Sequence, residues 1–147
     1  MNTIWLIEDD PTQAADIAQG LGAEFDAEVK RIPTELEFRQ RFDDILASNP
    51  RVVVIDLLLR WTDPSEDMEP FPPDVDPNKG FLTAGLRCQQ RLTANPRTRD
   101  VPIVIYTIVN GHDSGVDPNS LPKNARFIRK ESNYSNLFDS VKQLTGV

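Results

Sequence analysis

Only one cysteine, Cys88, and one histidine, His112, occur among the 147 residues. A lone thiol cannot close an internal disulfide, so nothing calls for an oxidising compartment, and Cys88 reads as a small apolar core residue. Long apolar runs are missing too. The first, Thr3-Ile4-Trp5-Leu6-Ile7, meets three acids at once and is too short for a signal peptide or a membrane span, which makes the chain read as cytoplasmic. Positive charge is scarce: 16 Lys and Arg against 23 Asp and Glu leave a net charge of −7, which argues against nucleic acid or an anionic membrane as main partner. The length suits one domain with a full core, and no DNA-binding output domain fits beside it.

What is present is an alternation of strand and helix signals. Ile4, Trp5, Leu6 and Ile7 form a short strand. Asp10 then caps a helix with Pro11 in its first position and Ala14, Ile17, Ala18 and Leu21 at helical spacing, ended by Gly20 and Gly22. Residues 28–32 give a weak strand. Thr34-Glu35-Leu36-Glu37 matches a capping box and opens one helix carrying Phe38, Phe42, Ile45 and Leu46, closed by Asn49-Pro50. Residues 51–59 are apolar on both faces and β-branched, as suits a strand covered by helices on each side. Further on come a helix with Phe81, Ala84, Cys88 and Leu92, a strand from Ile103 to Thr107, a strand of Arg126, Phe127, Ile128 and Arg129 tipped by Lys130, and a last helix through Tyr134, Leu137, Phe138, Val141 and Leu144. This order predicts an α/β fold with a doubly wound, five-stranded parallel sheet.

Two stretches break the alternation. Residues 60–79 hold five prolines among acids and form an acidic, Pro-rich loop, either solvated or docked through Trp61, Met68 and Phe71. Residues 110–122 carry turn residues and predict at most a short or irregular fourth helix, with His112 as a loop residue.

In a parallel sheet the C-terminal ends of all strands lie on one edge, so Glu8, Asp9, Asp56, Thr107 and Lys130 are expected to converge. Three carboxylates there repel one another unless a cation sits among them, and hard oxygen ligands suit Mg²⁺. With that ion, Asp56 can act as a nucleophile toward a phosphoryl group, while Lys130 and Thr107 meet further phosphoryl oxygens.

With these residues in place, the chain resembles the receiver domain of two-component response regulators. Leu6-Ile7-Glu8-Asp9-Asp10-Pro11 is similar to the acidic-pair motif, Val54-Ile55-Asp56 to the phosphoacceptor strand, Val101-Pro102-Ile103-Val104-Ile105-Tyr106-Thr107 to the threonine strand, and Phe127-Ile128-Arg129-Lys130 to the lysine strand. The resemblance implies a flavodoxin-like strand order 2-1-3-4-5 and a stand-alone receiver, residues 1–147, with Asp56 phosphorylated by a histidine kinase or histidine phosphotransfer protein. It implies Mg²⁺ held by Glu8, Asp9, Asp56 and the Leu58 backbone carbonyl, and Thr107 and Phe127 as switch residues. Self-catalysed phosphorylation and dephosphorylation, a downstream protein target and a possible homodimer follow from the same likeness. Four features depart from the family: the 60–79 insertion, bulky Ile108 after the threonine, Glu131 where a proline is usual, and the interrupted fourth helix. The alternative is a receiver-like scaffold that binds a partner without phosphorylation. A haloacid-dehalogenase-type phosphatase would need an acid at Leu58, and the Ser114 surroundings lack a nucleophile elbow.

Overall fold

The computed structural model describes residues 2–62, 70–76, 80–109 and 116–146. Five strands, β1 (Asn2–Ile7), β2 (Ala27–Ile32), β3 (Val52–Ile55), β4 (Ile103–Thr107) and β5 (Ala125–Arg129), form one parallel sheet in the order β2-β1-β3-β4-β5. Ile7 pairs with Ile32 on one side and with Ile55 on the other, and Ile55 pairs with Ile105, so the strand ends come level along one edge.

The two-residue period of each strand divides the core into two layers. Trp5, Ile7, Val53, Ile55, Ile103 and Ile105 face α2 (Glu35–Gln40), α3 (Phe42–Ser48) and α4 (Ala84–Ala94). Ile4, Leu6, Val52, Val54, Val104 and Tyr106 face α1 (Pro11–Phe25) and α5 (Ser135–Thr145). All of β3 is buried, as a strand covered on both faces must be. The outer strands β2 and β5 are only partly buried, which accounts for the weak sequence signal of residues 28–32.

Side-chain caps open two of the described helices, α1 and α2. The Asp10 carboxylate accepts from the N–H groups of Thr12 at 2.9 Å and Gln13 at 3.0 Å, and Pro11 follows it. Helix α1 does not end at Gly20 and Gly22 but runs on to Phe25. A Cβ on Gly20 would lie 2.7 Å from the Phe138 ring, so this glycine lets α5 approach. The expected second helix is broken at Arg41, whose guanidinium lies over the Trp5 ring at 5.0 Å. Thr34 supplies its half of the capping box, accepting from Glu37 N–H, while the Glu37 carboxylate turns to Arg41.

In the described part of the 60–79 segment Trp61 and Val75 are buried, while Phe71 and Asp74 are exposed. Met68 lies outside the described residues. Around the expected fourth helix only a 3₁₀ turn, Pro118–Ser120, is described, and His112 and Ser114 fall outside. Cys88 is buried and unbonded, and burial pushes its thiol pKa up, as befits a core residue. No helix among the described residues is long and apolar enough to cross a membrane.

Candidate functional site at the carboxyl edge of the sheet

Strand β1 gives way to Glu8 and Asp9, and the turn is pinned from the neighbouring strand. Arg31, at the end of β2, donates from Nε to the Glu8 carbonyl and from Nη2 to the Asp9 carbonyl, both at 3.0 Å. Glu8 N–H also donates to the Ile32 carbonyl, so pairing continues one residue past the strand. Glu8 is thereby buried, and Asp9 less so.

Asp56 stands one residue beyond β3, its N–H bonded to the Ile7 carbonyl at 2.9 Å. Its Oδ1 accepts from Leu58 N–H at 3.1 Å. The start of α4 comes close behind it. Gly85 donates to the Leu57 carbonyl, and a Cβ on Gly85 would lie 2.1 Å from the Asp56 carbonyl oxygen, so no side chain fits there.

Lys130 follows β5, its N–H bonded to the Thr107 carbonyl. Its Nζ donates to Glu8 Oε1 at 2.5 Å, Gln13 Oε1 at 2.6 Å and Asp56 Oδ2 at 2.8 Å. One ammonium therefore joins the ends of β1, β3 and β5. Burial, and next the Asp56 carboxylate, push the Glu8 pKa up to about 7 despite Lys130. Burial alone would lower the Lys130 pKa, but Asp56 and Glu8 outweigh it and raise it.

The other expected residues are placed differently. Thr107 is fully buried, and its hydroxyl accepts a long hydrogen bond from Val109 N–H at 3.4 Å. Phe127 is half-buried beside Ile105 and packs on the cluster that includes Val116. Asp9 is turned from the lysine toward Arg60, whose N–H lies 3.2 Å and Nε 3.6 Å from Oδ2. Leu58 contributes its N–H to Asp56, as described. Ile108 is 60% exposed at the rim.

Sequence reading missed Gln13, Arg31, Arg60 and Gly85. Gln13 sits one turn into a helix that starts at the acidic turn, a placement legible from the Asp10 cap. The other three depend on which elements become neighbours.

The donor set is hard oxygen, and Glu8 and Asp56 already converge on one cation, the Lys130 ammonium. That geometry fits a cation at this point. Among the described residues, no three acidic, histidine or cysteine side chains are grouped closely enough to hold a metal ion, because Asp9 faces Arg60.

No protein-family model matches the sequence, and no curated protein does. Solved structures do match in fold. A signal receiver domain of a two-component histidine kinase from Clostridium thermocellum superposes with a TM-score of 0.71 at 14% identity, covering 99% of this chain and 98% of that one. The response regulator TrrA from Thermotoga maritima, solved in complex with Mg²⁺ and BeF, gives a TM-score of 0.65 at 17% identity, with 98% and 99% covered. The receiver domain of a sensor histidine kinase from Pseudomonas aeruginosa PAO1, with a magnesium ion in its active site cleft, gives 0.67 at 16% identity, with 99% and 98% covered. The chain thus has the flavodoxin-like fold of response regulator receiver domains, with strand order 2-1-3-4-5.

Proposed function

We propose that this chain is a receiver-type signalling protein that accepts a phosphoryl group on Asp56 from a histidine kinase or a histidine phosphotransfer protein. The observation that carries the reading is the Lys130 ammonium bonded to both Asp56 and Glu8 from a third strand end. A carboxylate poised beside a fixed ammonium at the open edge of such a sheet is an arrangement suited to phosphoryl transfer.

In the reaction a carboxylate oxygen of Asp56 attacks the phosphorus of a phosphohistidine. The P–N bond breaks, the imidazole leaves with the bonding electron pair and takes up a proton, and an acyl phosphate forms on Asp56. Leu58 N–H orients the nucleophile before attack. Lys130 then pairs with a phosphoryl oxygen, and Thr107, at the end of β4, is the group that would serve a second. Glu8, Asp9, Asp56 and the Leu58 carbonyl are the groups that would hold Mg²⁺, which when bound neutralises charge on the transferring oxygens. The Thermotoga and Pseudomonas structures, with Mg²⁺ present, support this assignment of the ion. The added charge on Asp56 biases Thr107 and Phe127 and so alters a surface read by a protein target.

Intact-mass spectrometry after treatment with acetyl phosphate and Mg²⁺ tests the reading. One phosphoryl group is expected on the wild type and none on Asp56→Asn, with reduced labelling for Lys130→Ala. A second reading, the phosphorylation-independent scaffold, draws on the lysine already closing Glu8 onto Asp56 and on exposed Ile108 at the rim. A wild type left unlabelled by both acetyl phosphate and a phosphohistidine donor would establish that alternative.

A further inference from the structure

Asp9 is the one acid of the site that Lys130 does not hold, and what holds it leads away from the site. Its Oδ2 accepts from the backbone N–H of Arg60 and faces the Arg60 guanidinium. The same stretch of chain is fastened on its other side to α2. The Arg60 carbonyl accepts from Glu35 N–H at 3.0 Å and the Trp61 carbonyl from Leu36 N–H at 2.9 Å, satisfying donors that a helix start leaves open. Trp61, 7% exposed, lies under the Arg39 guanidinium at 5.1 Å and beside the Phe71 ring at 6.1 Å. Arg39 in turn holds both oxygens of Asp74, at 3.1 and 2.8 Å.

We infer that Arg60 is the positioning residue for Asp9: it is the resident counter-ion that a divalent cation must displace, and its displacement is transmitted to Trp61. The inference rests on the Mg²⁺ assignment proposed above. Asp9 Oδ2 cannot turn a lone pair to a divalent ion and keep a guanidinium beside it, because the two cations repel. Cation binding therefore loosens Arg60, and by linkage, loss of the Arg60 charge strengthens cation binding. For a half-exposed ion pair the change is about two- to five-fold in affinity. Trp61 follows Arg60 directly and packs on α2 and Phe71, so it is the first side chain to register the change.

Titration with Mg²⁺, followed by ¹H–¹⁵N NMR, tests this on the full chain. The Trp5 indole, buried in the middle of β1 and bonded to Ser48 Oγ of α3 at 2.8 Å, serves as internal reference. In the wild type Mg²⁺ should shift the amides of Glu8, Asp9 and Asp56 together with the Trp61 indole. Arg60→Ala should bind Mg²⁺ about two- to five-fold more tightly, with its Trp61 signal displaced before any Mg²⁺ is added, and Arg60→Lys should restore wild-type affinity. If Mg²⁺ moves the acidic amides but not Trp61, or if Arg60→Ala binds as the wild type does, the inference fails while the phosphoacceptor reading stands. If Mg²⁺ moves none of these amides, both this inference and the Mg²⁺ assignment fail.

Discussion

Glu8 is a residue of the strand edge whose burial works against stability at neutral pH. A carboxylate whose pKa rises from 4.5 to about 7 on folding holds its proton more tightly in the native state than in the unfolded chain. Its contribution to stability is therefore fully present below pH 4.5 and is lost as the pH climbs through 7. Above that, an ionised Glu8 sits in a buried site beside ionised Asp56 with one ammonium for both. Glu8→Gln keeps an oxygen for Lys130 and removes the charge. In the absence of divalent cations it should stabilise the fold at pH 8 by roughly 1–3 kcal/mol and flatten the decline between pH 5 and 7, as urea denaturation across that range would measure. Stability at pH 8 equal to or below that of the wild type would mean that Lys130 fully compensates both acids.

Among the elements, α4 packs directly behind Asp56. Its first turn reaches the chain behind Asp56 only because residue 85 has no side chain, and the obstacle to one is backbone, which cannot swing aside. Gly85→Ala should thus cost about 1–3 kcal/mol by denaturant unfolding, although alanine is the better helix former by about 1 kcal/mol. Under the function proposed above it should also slow labelling of Asp56, since relief of the clash moves that residue. A variant of wild-type stability and labelling rate would show that α4 yields freely. The stretches described at 60–62 and 70–76 are a second place where packing on α2 matters. They join Trp61 and Asp74 to Arg39, and Arg39 and Arg87 both bond Glu35, a carboxylate only 1% exposed. A buried acid with two guanidinium partners ties α2 to α4, and both stretches rest on that tie.

For the molecule as a whole, both core layers share every strand of one sheet, so loss of either layer exposes the other face of the same strands. We expect a single cooperative transition in urea, with coincident midpoints by far-UV circular dichroism and tryptophan fluorescence. Separated midpoints would divide the chain into two units. The sequence by itself determined the order of the strands, though it carried β3 over 51–59 where the structure has Val52–Ile55, and with it the capped first helix and Asp56 as the acid closing an apolar strand, because two-residue alternation, a cap and a proline act over a few neighbouring residues. Gly20 and Gly22 were misread as a helix end for the complementary reason, since Gly20 is fitted to Phe138 across the core and not to its neighbours in the chain. Only the tertiary structure decided that Lys130 bonds Glu8 across 122 positions and Asp56 across 74, that Asp9 goes to Arg60 instead, and that Arg60, Trp61 and Asp74 are bonded to α2. Those contacts depend on strand order and on which charged groups lose their water together, and both are properties of the assembled sheet.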